Sequence, residues 1–335
     1  MKYKSVVATQ FGGPEVLQVL ENELRPPTAG EVRIKILASS VSRPDVTPRS
    51  GKSLFSRTPL RMKPPFVPGY SVVGVVDAVG EGVQEARVGD RVGAMVRVGG
   101  YSEYVYWKSD RLIPVPPTVD PAEAVTLILN YIVAYQVLHR SAKVRAGETV
   151  LIIGASGGIG TALLQLGKLA GLKMYAVASR SKHPILKEYA ATPIDYRTQD
   201  FRQVMRQAEP QGINVVIDGM TSLDSVGGGL GLLRRGGRLV CFGEPSGFSV
   251  LFRILAKMLV VNLLGKKSIK LYGTSFFFVG DKKPFMEDWA TLFGLLEAGR
   301  IKPVIMRRFP ILEASQANTL LETGEVVGNL VLVAR

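Results

Sequence analysis

The sequence predicts an α/β protein whose main domain is a doubly wound parallel sheet. One observation is a strand, glycine turn, helix, strand unit over residues 150–182. Another is the alternation of apolar runs and helical patterns that continues from it to residue 242. A third is that the first 120 residues carry short β-like runs broken by prolines, which predicts a second, β-rich domain.

The unit at 150–182 begins with the apolar run Val150, Leu151, Ile152 and Ile153. Gly154-Ala155-Ser156-Gly157-Gly158-Ile159-Gly160 follows at once, and then Ala162, Leu163, Leu166 and Leu169 recur at helical spacing. A second apolar run covers 174–178. A glycine turn placed between strand and helix lets backbone N–H groups approach a pyrophosphate at the positive end of the helix dipole. The residues after the second strand narrow the ligand. An NAD site carries Asp or Glu there, for the ribose 2′-hydroxyl. This chain has Ser179-Arg180-Ser181-Lys182, and its next acid is Glu188. A hydroxyl, a guanidinium and an ammonium suit a 2′-phosphate, so the expected cofactor is NADPH.

The next strands and helices are read at 184–190, 200–207, 214–218, 222–233 and 237–242. Before them, 32–38, 72–79, 91–98 and 101–106 read as strands, the last two joined by Gly99-Gly100. Prolines Pro114, Pro116 and Pro117 precede a helical stretch at 121–142, and the domain boundary is placed there. Beyond 280 come a helix (284–298), a strand (303–309), a helix (313–323) and a strand (329–334). The stretch 248–264 is apolar except for Ser249, Arg253, Lys257 and Asn262. It is too short to span a bilayer. It reads as a lid or subunit-contact helix, or as a helix lying on an anionic membrane surface.

The 335 residues are 46% apolar, enough for one large or two ordinary globular domains. One cysteine, Cys241, excludes an intramolecular disulfide and fits a reducing, cytoplasmic setting. The N-terminal residues run into a strand-like segment with no secretory apolar core. The net charge is +14, and +10 of it lies in 123–279, with the glycine turn. No nucleic-acid recognition module is visible, so no nucleic-acid partner is expected.

Several segments together resemble the zinc-free medium-chain dehydrogenases/reductases, in the quinone oxidoreductase branch. They are Phe66-Val67-Pro68-Gly69-Tyr70, Gly89-Asp90-Arg91-Val92, Gly100-Tyr101-Ser102-Glu103-Tyr104, Ala134-Tyr135, the glycine turn and Gly236-Gly237-Arg238-Leu239-Val240. Ser181-Lys182-His183 and Pro193-Ile194-Asp195-Tyr196 look closest to the synaptic-vesicle membrane-protein subgroup. The resemblance implies a GroES-like β-barrel substrate domain (1–122 and 280–335), a Rossmann NADPH-binding domain (123–279) and a homodimer. It also implies cofactor contacts: Gly154, Ser156, Gly157, Gly158, Ile159 and Gly160 at the pyrophosphate, and Ser179, Arg180, Lys182 and Tyr196 at the 2′-phosphate. Phe242 and Gly243 would lie beside the nicotinamide ribose, Asn329 on the cofactor side, and Val133 where family members often have a carboxamide-binding Thr. The chain departs from the family pattern at Ser42, which stands where Asn is common, and at Thr47, which replaces a pocket Tyr.

A catalytic zinc needs about three Cys, His or acidic ligands. The chain offers only Cys241, His139 and His183 besides its acids, and Gly69-Tyr70-Ser71 lacks the His-Glu pair of the zinc alcohol dehydrogenases. No metal is expected. Hydride transfer without a Lewis acid favours acceptors whose product anion is delocalised, which quinones and α,β-unsaturated carbonyls provide. No confident acid–base residue emerges. Ser42, Tyr70 and Tyr101 are the candidate donors to substrate oxygen. The alternative function is a peripheral-membrane or regulatory NADPH-binding protein with little turnover.

Overall fold

The computed structural model describes residues 1–334 except 55–57, 60, 275–277 and 279. In chain order the first strands are β1 (Lys2–Ala8), β2 (Leu17–Glu23) and β3 (Glu31–Val41), followed by the short helix α1 (Arg43–Arg49). Next come β4 (Val72–Val79), β5 (Arg91–Ala94), β6 (Tyr104–Lys108) and β7 (Ile113–Pro114), then the long helix α2 (Pro121–Ala142). The parallel region holds β8 (Thr149–Ile153), α3 (Gly158–Leu169), β9 (Lys173–Ala178), α4 (His183–Glu188), β10 (Ala191–Asp195) and α5 (Phe201–Ala208). It continues with β11 (Ile213–Asp218), α6 (Leu223–Leu232), β12 (Leu233–Cys241), α7 (Phe248–Leu263) and β13 (Ser268–Leu271). The chain closes with α8 (Lys283–Glu297), β14 (Ile305–Pro310), α9 (Ala314–Glu322) and β15 (Asn329–Val333).

These elements form two units, Met1–Asn130 with Trp289–Arg335, and Tyr131–Asp288. The first unit holds the antiparallel pair β1–β2 and a seven-stranded sheet of order β14-β15-β3-β4-β5-β7, with β6 also paired to β3. Bulges between Arg33 and Ile34 and between Ile36 and Ala38 let the long β3 bend so that one edge serves β6 at one end and β15 at the other. Alternate residues Val32, Ile34 and Ile36 point into its core with Val72, Val76, Leu330 and Leu332. The strands read at 91–98 and 101–106 are shorter or shifted. After Ala94 the backbone turns away to bond the loop at 67–70: Arg97, Gly99, Gly100 and Tyr101 donate to the carbonyls of Tyr70, Val67, Gly69 and Pro68.

The second unit is a six-stranded parallel sheet of order β10-β9-β8-β11-β12-β13. Its central strands are apolar because both faces are covered. Val226 and Leu232 of α6, Met205 of α5 and Ile254 of α7 seal one face against Leu151, Val216 and Leu239. α3 packs against the 132–135 turn of α2. α2 is capped by Asp120, whose carboxylate accepts from the N–H groups of Ala122 and Glu123 at 2.8 and 3.1 Å. It is long and apolar enough to cross a membrane, but most of it is buried as a core helix. His139, on its last turn, is half-buried against the Tyr135 ring at 4.5 Å, and burial lowers its pKa.

Candidate functional site

The glycine turn is built by three glycines with three different duties. Gly154 ends β8 with φ +87°, in the left-handed region that favours glycine. Gly157, the residue before α3, is extended, and a Cβ there would meet nothing within 4 Å. Gly160 lies against the turn, where a Cβ would fall 2.3 Å from the Ala155 carbonyl carbon. Ala155 N–H donates to Val177 O at 3.2 Å and ties the turn to β9. Thr161 N–H closes the helix onto Gly157 O at 2.8 Å. The N–H groups of Gly158, Ile159 and Gly160 open α3 and have no acceptor inside the helix. Ser156 is half-buried beside them. An open turn, first-turn donors and a 12-residue helix dipole fit a pyrophosphate.

The strand order reverses between β8 and β11, which is where open α/β sheets bind ligands, at the C-terminal strand ends. Parallel pairing brings the other candidates of this unit to that same edge. Ser179 follows β9 and is buried; its carbonyl accepts from Lys182 N–H at 2.9 Å. Arg180 is exposed and its guanidinium has no hydrogen bond or ion pair among the described residues; Lys182 is half-buried. Tyr196 follows β10 and is 57% exposed. Phe242 and Gly243 follow β12. Phe242 N–H donates to Asp218 O at 3.0 Å, and its ring lies over Gly219, where a Cβ would be 2.7 Å from Cζ. A Cβ on Gly243 would strike Gly219 O at 2.2 Å, so two glycines let the β11 and β12 loops touch. Sequence reasoning passed over Gly219, whose need for a hydrogen side chain shows only in three dimensions. Asp218 is a buried brace: it accepts from Met220 and Thr221 N–H and from Ser225 Oγ, and burial raises its carboxyl pKa. Val133 lies on α2 and is buried. The donor set at this edge fits a nicotinamide dinucleotide.

The remaining candidates lie in the first unit and converge on a carboxylate. Asp45 is buried at the start of α1 and accepts from Ser42 N–H at 2.8 Å, Ser42 Oγ at 2.9 Å and Gly69 N–H at 3.1 Å. It therefore holds the loop of Ser42 and the loop of Tyr70 together. Tyr101 corrects an expectation: it is fully buried, so its hydroxyl faces no substrate. That hydroxyl accepts from Asn318 Nδ2 at 3.2 Å and bonds to Asp45; burial and the Asp45 charge raise its pKa well above the phenol range. Ser42 is nearly buried and Tyr70 half-buried. Asn329 opens β15. It is buried in the first unit, accepting from Asn130 Nδ2 at 2.5 Å and donating to Val304 O at 2.9 Å.

Burial pushes the Asp45 carboxyl up to about 6, because desolvation outweighs the bonds from Ser42, Gly69 and Tyr101. The folded value lies above the unfolded one, so the fold favours the protonated acid. That contribution is full below about pH 4 and is lost as pH rises through 6. Asp45→Asn has no carboxyl to ionise. Urea unfolding should show the variant gaining on wild type by about 2 kcal/mol between pH 4 and pH 7. An offset constant with pH would mean that the carboxylate is not desolvated.

His139 on α2, His183 at the start of α4 and Cys241 at the end of β12 sit on three separate elements. Among the described residues no three His, Cys, Asp or Glu come together to hold a metal ion.

Residues 28–117 match the model of the alcohol dehydrogenase GroES-like domain, and residues 189–332 match that of the zinc-binding dehydrogenases. The chain is 30% identical to the quinone oxidoreductase of Rattus norvegicus over 336 residues, spanning 98% of this chain and 97% of that protein. It is 35% identical to the synaptic vesicle membrane protein VAT-1 homolog of Rattus norvegicus over 244 residues, 72% of this chain and 59% of that protein. A mycobacterial protein solved in complex with NADPH superposes with a TM-score of 0.84 at 27% identity, over 99% of both chains. With the GroES-like unit, the parallel dinucleotide-type sheet and relatives matched from end to end, the chain belongs to the medium-chain dehydrogenase/reductase family of oxidoreductases, in the branch of the quinone oxidoreductases and their VAT-1-like relatives.

Proposed function

We propose that this protein is an NADPH-dependent reductase that passes hydride to a quinone or an α,β-unsaturated carbonyl without a metal ion. The observation that carries the reading is the pair Arg180 and Lys182 at the C-terminal end of β9, where an NAD-selective site has an acid. NADPH, when bound, supplies the hydride. The N–H groups of Gly158, Ile159 and Gly160, with Ser156, hold the pyrophosphate at the open face of Gly157. Ser179, Arg180, Lys182 and Tyr196 hold the 2′-phosphate, and Phe242 and Gly243 form the surface beside the ribose. Tyr70 is the donor assigned to substrate oxygen; the Ser42 hydroxyl already donates to Asp45, which ties the Ser42 loop to the loop that carries Tyr70. An acceptor with a delocalised product anion needs only orientation, exclusion of water and such donors. The family resemblance and the single buried thiol, Cys241, support a homodimer in a reducing cytoplasm.

The test is fluorescence titration with NADPH and NADH, then turnover against a panel of quinones and enones after dialysis with a chelator. NADPH should bind more than about tenfold tighter than NADH, and chelation should leave turnover unchanged. Binding without turnover across the panel would instead favour a regulatory NADPH-binding protein. Stoichiometric zinc required for activity would overturn the metal-free reading.

A further inference from the structure

A hydride reduction leaves an anion, and the anion needs a proton before it can leave as product. The first unit holds one buried acid bonded to a hydroxyl. Asp45 Oδ2 accepts from Ser42 Oγ at 2.9 Å and from Ser42 N–H at 2.8 Å, while Oδ1 accepts from Gly69 N–H at 3.1 Å. Asp45 is 3% exposed and Ser42 8%. A hydroxyl carries one proton and two lone pairs, so it can give a proton on one side as it takes one on the other. With Asp45 ionised, the Ser42 proton is held on Oδ2. With Asp45 protonated, the acid donates to Ser42 Oγ, and the Ser42 proton is released to another acceptor. The asparagine common at this position in the family donates hydrogen bonds from an amide and cannot relay a proton in this way.

The surroundings of Asp45 keep both of its states in play. Tyr101 bonds to it, and burial and the Asp45 charge hold that phenol neutral. Arg49, one turn further along α1, is fully buried, but it is engaged by Glu322 of α9 and by Gly12 O at 2.8 Å. Among the described residues no cation pairs with Asp45. Desolvation is therefore not offset by an opposite charge, and the carboxyl titrates at about 6, near neutral pH.

We propose that Asp45 and Ser42 form the proton couple that completes the reduction. Hydride adds to the acceptor and leaves a negative charge on its oxygen. That oxygen takes the Ser42 Oγ proton as Ser42 Oγ takes the Asp45 proton. The O–H bond of the acid breaks, and the O–H bond of the hydroquinone or enol forms. Ser42 ends neutral and Asp45 ends as a carboxylate. A proton from water, passed back through Ser42 after the product leaves, restores the acid. The inference rests on the reductase reading and adds the source of the proton: Tyr70 orients the oxygen and Ser42 protonates it.

The experiment is the pH dependence of kcat for quinone and enone reduction from about pH 5 to about pH 9, in water and in deuterium oxide, with infrared difference spectra of the enzyme over the same range. Above the Asp45 pKa, kcat should fall about tenfold per pH unit and show a solvent isotope effect. A protonated-carboxyl band should appear at low pH and be missing from Asp45→Asn. Ser42→Ala should keep that band and its NADPH binding, lose about 100-fold in kcat and lose the falling limb. Ser42→Thr should restore both rate and limb. Wild-type turnover that stays level across the range would overturn the proton couple and leave the reductase reading intact, as would an unchanged pH profile in Ser42→Ala. No turnover at any pH would overturn both.

Discussion

Gly160→Val is expected to cost the fold about 3 kcal/mol and to abolish NADPH binding. A side chain there would begin 2.3 Å from Ala155 C, 2.4 Å from Ala155 O and 2.6 Å from Gly154 O. All three are backbone atoms and cannot rotate away. α3 would have to lift off the turn, and with it Leu163 and Leu164, which are fully buried. The first-turn N–H groups would leave the position assigned to the pyrophosphate. Gly157→Ala separates packing from binding. Its φ of −80° is open to any residue, and its Cβ meets nothing within 4 Å. Its midpoint in urea should match wild type, while NADPH binds more weakly because the methyl occupies the open face of the turn. Urea unfolding and fluorescence titration on both variants check the pair. A Gly157→Ala protein that binds NADPH like wild type would show that no phosphate approaches the turn.

Replacing Arg180 and Lys182 together by alanine should lower kcat/KM with NADPH about 100-fold and leave NADH almost unchanged. Two charge-assisted hydrogen bonds of about 1.5 kcal/mol each sum to roughly that factor. NADH has no charge at the 2′ position, so it has nothing to lose there. Adding Ser179→Asp places a carboxylate where a 2′-phosphate would be repelled and a 2′-hydroxyl accepted, and should carry the preference over to NADH. Steady-state kinetics with both coenzymes decide the matter. An equal fall for the two would make these residues supports of the β9–α4 connection rather than phosphate ligands.

The two edge strands of the parallel sheet show where periodicity stops being informative. β10, Ala191-Thr192-Pro193-Ile194-Asp195, contains a proline and does not read as a strand; β13 has only four residues and begins at Ser268. Each has one neighbour, so each can spare ladder bonds and apolar residues that β8 and β11 cannot. The proline cluster before residue 121 is also a weaker divider than the contacts, which pass the chain from one unit to the other within α2, after Asn130. At the candidate site, glycine spacing and the cations after β9 were legible because they are local in sequence. The burial of Tyr101 and the bonds of Asn329 were not legible because their surroundings are not local: Asn318 and Asn130 lie about 200 residues away and engage them in the core.

By itself the sequence determined the α/β class, the strand, turn and helix at 149–169, and the absence of an acid after β9, because backbone geometry and local charge depend on near neighbours. Only the tertiary structure decided that Asp45 ties Ser42 to Gly69, that Gly219 and Gly243 share one contact, and that one face of α7 is left uncovered. Those outcomes depend on which distant segments the sheets bring together, and a pattern of residue types along the chain carries no such distances.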